Sequence, residues 1–150
     1  MPEKELLKRA KKDKREGKAA STQAGEFVRE EIEHIREGKH GARSAKQAIA
    51  IGLSKARRAG VKLPPPEKGT ASKETRKQAA RDLRKGKNPA RKTSAKRSRA
   101  MSRVLKREGS SAASKTALSR HARSAAAKRS AAARSRSAKK AAKTRENNSL

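Results

Sequence analysis

Strongly apolar side chains gather in one stretch of the chain. Residues 25–66 read GEFVREEIEHIREGKHGARSAKQAIAIGLSKARRAGVKLPPP and hold the single Phe, all four Ile and two of the three Val. Ala24, Phe27, Val28, Ile32 and Ile35 recur at helical spacing and predict a helix over 22–37. Ser21 or Thr22 would cap it, Glu26 would sit in its first turn, and Gly38 would stop it. Glu31 falls inside the apolar arc. The preferred reading makes it a rim residue with a buried stem; the other makes it the partner of a Lys or Arg on the next helix. After the loop Gly38-Lys39-His40-Gly41-Ala42-Arg43, a second helix is predicted over 44–59. Ser44 and Gln47 fit a capping box, Gly60 fits the C′ position, and Val61 the apolar lid beyond it. Ala45, Ala48, Gly52, Ala56 and Ala59 form a stripe of small residues, so the two helices should pack as a tight hairpin. Its seam would be Phe27, Val28, Ile32, Ile35, Ile49 and Leu53, closed by Val61 and Leu63, with Pro64–Pro66 as a stiff spacer. So small a core needs a cover. Candidates are residues 3–16, residues 72–85 through Ala79, Ala80 and Leu83, or a second chain in a homodimer.

Outside this stretch the pattern thins. In residues 3–16 only Leu6, Leu7 and Ala10 are apolar, which predicts a short solvated helix ending at Gly17. Two short basic helices are predicted over 72–85 and 94–108, the second with Ala100, Met101, Val104 and Leu105 on a narrow stripe. From Gly109 to Arg145 there is no acidic residue, 11 residues are Lys or Arg, and nearly all the others are Ala or Ser. Cations around the whole axis define no packed face. The tail is therefore expected to be disordered alone and partly helical once phosphate neutralises it. The predicted fold class is mostly α: a small helical hairpin with basic, largely disordered or conditionally helical arms. The corresponding segments are an N-terminal arm 1–19, a helix-loop-helix module 20–63, a linker 64–70, short basic helices 71–108 and a tail 109–150.

Charge narrows the function. The chain carries 44 Lys and Arg against 14 Asp and Glu, a net charge of +30. Residues 1–66 hold 17 basic and 9 acidic side chains, and residues 67–150 hold 27 and 5. Such a field attracts polyanions and far exceeds what solubility requires. With no Cys, thiolate chemistry and Cys-based zinc sites are excluded. With one Phe and no Trp or Tyr, base-stacking platforms are excluded too. The longest apolar run, Ala48–Leu53, is far short of a membrane span, and MPEKELLKRAKKDKRE has no apolar signal core. An intracellular protein with no membrane association is expected. Lys11, Lys12, Lys14 and Arg15 would suit a nuclear localisation signal in a eukaryote, and Arg134-Ser135-Arg136-Ser137 resembles a fragment of an arginine/serine-rich domain.

Enzymatic chemistry finds little support. There are three histidines, no Ser/His/Asp constellation and no phosphate-loop pattern. No catalysis, cofactor, metal or small-molecule substrate is expected. His34 follows Glu30 by four residues, a metal-ligand spacing on a helix, but an exposed helical histidine is the preferred reading.

The expected partner is DNA, held through its phosphates. Candidate tail contacts are Lys115, Arg120, Arg123, Lys128, Arg129, Arg134, Arg136, Lys139, Lys140 and Lys143. A second candidate is the start of the helix over 44–59, where free amides and the Ser44 hydroxyl face Lys39, His40, Arg43 and Lys46. An ordinary capped hairpin loop explains the same residues equally well. A third is that helix lying in the major groove, read through Lys46, Gln47 and Arg57 with Arg58 beside them. RNA or ribosome association, or a protein-interaction module with a nucleic-acid-localising tail, are the alternatives.

From AGEFVREEIEHIREGKHGARSAKQAIAIGLSKARRAGVKLPPP onward the chain resembles a family of small basic bacterial proteins described as DNA-binding. KTSAKRSRAMSRVLKREG and SAASKTALSRHARSAAAKRSAA are similar to the same family, and GKHGARSAKQAIAIGLSKARRAG is the most specific block. The resemblance covers roughly residues 20–145. It implies a histone-like protein of the bacterial cytoplasm or nucleoid, and it transfers no catalytic residue or cofactor.

Overall fold

Two antiparallel helices joined by a short loop form the centre of the protein. The computed structural model describes residues 4–88 and 94–149. Glu3 of the first predicted helix, and residues 89–93 within the segment of short basic helices, lie outside the described residues. The central pair is α2 (Ala20–Arg36) and α3 (Ala45–Arg58), flanked by α1 (Lys4–Arg15) and α4 (Lys73–Lys87). Beyond them run α5 (Ala95–Arg107), a 3-10 turn at Ser111–Ala113, α6 (Lys115–Ala127) and α7 (Ala131–Asn148).

The ends of the hairpin follow local chemistry. Ser44 is the N-cap of α3, and its hydroxyl accepts the Gln47 amide at 3.1 Å. At the other end, Gly60 has φ +104°, a value that suits a residue with no Cβ. Its amide reaches Arg57 O and the Val61 amide reaches Ala56 O, which makes a Schellman stop with the buried Val61 as its lid. Helix α2 departs from expectation at its start. Its N-cap is Ala19, with no side-chain cap. Ser21 and Thr22 lie within the helix, and Glu26 instead pairs with Arg9 of α1 at 3.1 Å.

The small-residue stripe on α3 does bring the helices together. A Cβ added to Gly52 would stand 2.6 Å from Val28 Cα. The apolar interior divides in two. Leu6 and Ala10 of α1 join Phe27, Ala24, Ala56 and Val61, with Leu53 and Leu63 packed alongside. Ile35, Ala42 and Ala48 pack with Ala112 and Ala113 of the 3-10 turn. Helix α4 lies against α3 through the buried Ala79 and Asp82. The Asp82 carboxylate accepts the Ser54 hydroxyl at 2.7 Å and Gln78 Nε2 at 3.2 Å. Within one chain, α1, α4 and the 3-10 turn thus cover the hairpin.

The expected fold, a small hairpin with largely disordered or conditionally helical arms, is corrected. Seven α-helices run through the described residues, and the arms are helices. Ser114 and Ser130 cap α6 and α7 by accepting the amides of Ala117 and Ala133, each at 3.1 Å. An Ala-rich composition favours helix after each cap. The stretch before α6 is anchored as well, because Arg36 Nε donates to Ala113 O at 2.9 Å. Two further bonds staple the 38–44 loop to the end of α5: the Gly41 amide donates to Leu105 O at 2.8 Å and the Ala42 amide to Gly109 O at 3.1 Å.

Candidate nucleic-acid interface

Once the C-terminal segment is helical, its cations acquire faces. On α7, Arg136, Lys139, Lys140 and Lys143 recur at i, i+3, i+4 and i+7 and share one side, all exposed. Arg134 and Arg145 project from the other side. On α6, Lys115, Arg120 and Arg123 line a shallow open groove with Thr116 and Ser119. Lys128 and Arg129 are exposed in the turn that follows, where the Arg129 guanidinium donates to Ala133 O at 3.1 Å and to the Ser137 hydroxyl. Sequence reading missed the stripe on α5, formed by Lys96, Arg99, Arg103 and Lys106 on one face, all exposed. Their spacing of three, four and three residues was the available signal. Met101 and Val104 stand exposed elsewhere on the same helix. Helix α1 adds Lys8, Lys11, Lys14 and Arg15 around another open groove.

Counter-charges are distributed unevenly. Residues 94–149 carry 17 Lys and Arg against Glu108 and Glu146. Among the described residues, every ion pair joins side chains between Glu5 and Asp82, and residues 94–149 take part in none. At the end of α1, Lys18 is held above the usual lysine range by hydrogen bonds to Asp13 and then Glu16, while Lys18 draws Glu16 below the usual carboxylate range.

Of the residues expected around the start of α3, Lys39, Arg43 and Lys46 are exposed, whereas His40, Ser44 and Gln47 have partners within the protein. Lys39 has Glu37 Oε2 at 3.2 Å. Ser44 and Gln47 serve the helix end: the Ser44 hydroxyl caps, and Gln47 Oε1 accepts the Arg43 amide at 2.7 Å. His40 turns inward. Arg57, expected to read a base edge, is corrected to an interior clamp. It is 6% exposed, and its guanidinium donates to Leu63 O and Pro64 O, each at 3.1 Å. Burial pulls its pKa down, opposed by Asp82. Arg58 is exposed, 3.9 Å from Asp82 Oδ1.

The inward-facing cluster centres on Glu31, which is fully buried, so the expectation of a rim residue is corrected. Its Oε1 accepts Lys55 Nζ of α3, and its Oε2 lies 2.9 Å from His40 Nε2. The reading of His34 as an exposed histidine is corrected too. Its side chain is 17% exposed, with Nδ1 3.9 Å from Glu31 Oε1 and Nε2 3.6 Å from Glu30 Oε1. The His34 and His40 rings meet edge to face, 6.3 Å between centroids.

Residues 11–68 match the model of a family of unknown function (DUF6496). The match spans the end of α1, all of α2 and α3, and the Glu31 cluster. It ends before α4, so the basic faces of α5–α7 lie outside it. No curated protein matches the chain, and no solved structure does. No helix among the described residues is long and apolar enough to cross a membrane.

Proposed function

We propose that the protein is a non-enzymatic DNA-binding protein of the bacterial nucleoid. It grips the phosphate backbone through the basic faces of α5, α6 and α7, with little preference for sequence. The observation that carries this reading is the set of exposed cations on residues 94–149, none of which has an acidic partner among the described residues. Cations without protein counter-charges are surrounded by solution anions or by phosphates, and release of the ions condensed on DNA favours the phosphates. Backbone contact rather than base readout is supported by the state of α3. Arg57 is buried and Gln47 is bound to its own helix end, so α3 lacks the fixed outward forks that reading base edges requires.

The test is a variant in which Arg136, Lys139, Lys140 and Lys143 are all changed to Gln. These side chains are exposed, so helical content should be retained while affinity for a short duplex at fixed salt drops by about tenfold or more. Unchanged affinity would remove α7 from the interface. Structured RNA that displaces the duplex from the wild-type chain at equal concentration would reassign the same faces to RNA.

A further inference from the structure

We propose that Glu31, His34 and His40 form a binding site for a transition-metal dication of the zinc class. One ligand atom from each of the three residues can be chosen so that all lie within 4.8 Å of one another. The decisive detail is at His40. Its Nδ1 lies 3.0 Å from the Gly41 carbonyl oxygen, which can only accept, so Nδ1 carries the ring proton. The other nitrogen, Nε2, then points at a carboxylate oxygen of Glu31 only 2.9 Å away. A bare imidazole nitrogen and a carboxylate oxygen are both acceptors. Something positive has to lie between them, either a proton, carried by the ring or by the carboxyl, or a metal ion.

Three features favour the metal. First, the ring is already held as a metal-bound histidine is held, with its far N–H fixed on a backbone carbonyl. Second, a further imidazole stands beside the same carboxylate, with His34 Nδ1 3.9 Å from Glu31 Oε1 and its Nε2 3.6 Å from Glu30 Oε1. Third, the donor set of two imidazoles and one carboxylate suits zinc and its neighbours rather than magnesium or calcium. Tetrahedral zinc with bonds of about 2.0–2.1 Å holds ligand atoms roughly 3.3 Å apart. The His40–Glu31 pair would open slightly and the wider gap would close, within the reach of side-chain rotation. Lys55 keeps Glu31 Oε1, leaving Oε2 as the ligand atom and a fourth position for water. The overall charge of +30 opposes a cation from a distance, but two carboxylates of α2, Glu30 and Glu31, stand beside the histidines.

The experiment uses the full chain without a polyhistidine tag, stripped of metal, with Zn²⁺ competed against a chromophoric chelator. One zinc per chain is expected. Co²⁺ should give the intense visible bands of a four- or five-coordinate site with nitrogen ligands. His34→Gln and His40→Gln should each weaken zinc binding tenfold or more, while His121→Gln on α6 should leave it unchanged. Failure of the wild-type chain to bind Zn²⁺ and Co²⁺ overturns the proposal. So does binding that persists in the His34→Gln/His40→Gln double variant, or that is lost with His121. The Co²⁺ spectrum is read on the unaltered chain, so the test survives a variant that misfolds, and none of its readouts involves nucleic acid.

Discussion

Glu31 shows what a single position can hide. It falls four residues after Phe27 and four before Ile35, so spacing alone puts it on the inner side of α2. Of the two readings its sequence position allowed, the structure takes the interhelical partner: Lys55 and His40 close on a carboxylate with no exposed surface. Spacing could not decide between them, because the convergence depends on how α3 and the loop return. Arg57 was illegible for the same reason, since the carbonyls it clamps belong to the chain six and seven residues later. The Glu31–Lys55 pair carries a prediction. In the metal-free protein, Lys55→Met leaves the buried carboxylate without its ammonium. Breaking a buried pair costs about 3–5 kcal/mol, and the low end applies here because Lys55 is 28% exposed and His40 remains. Urea denaturation should report a loss of about 3 kcal/mol. A loss below about 1 kcal/mol would mean that the pair is screened like a surface bridge.

At the scale of elements, the hairpin was the most legible part. Its apolar period, the Ser44 cap and the Gly60 stop are local signals, and each has its counterpart in the structure. The helix limits moved by no more than two residues, most at the start of α2. The arms were misread because like-charge repulsion was set against too little. Neighbouring like charges on a helix cost about 0.2–0.5 kcal/mol per pair. A Ser cap contributes about 1 kcal/mol, and each Ala adds its propensity. Ser114 and Ser130 lie in a run of Ala, Ser and cations where no helix start was expected, yet each caps one. The close crossing of α2 and α3 is tested at Gly52. Replacing it with Ala gains about 1 kcal/mol of helix propensity, but the new methyl would meet Val28 backbone at 2.6 Å. Overpacking of this kind costs about 1–3 kcal/mol, and with backbone as the obstacle the upper part of that range is expected. Gly52→Ala should lower stability by about 1–2 kcal/mol net in a denaturant titration. A gain would show that the helices can separate without loss.

For the whole molecule, charge separation is the organising feature. The compact part contains most of the acidic residues and pairs many of them with its own cations. The C-terminal helices carry cations with almost no acid to meet them. The size of this imbalance was legible in composition and the α5 stripe in its spacing, but the α7 stripe was not, because a stripe exists only on a helix and none was expected there. The account predicts that the chain meets a polyanion through several phosphates at once. The most direct measurement is the equilibrium affinity of the full chain, freed of copurifying polynucleotide, for a short duplex between 50 and 200 mM salt. With ~6–10 phosphates contacted, affinity should fall by about 10³–10⁵ across that range, with a log–log slope of roughly −5 to −9. A flat response, or no binding even at the lowest salt, would contradict it.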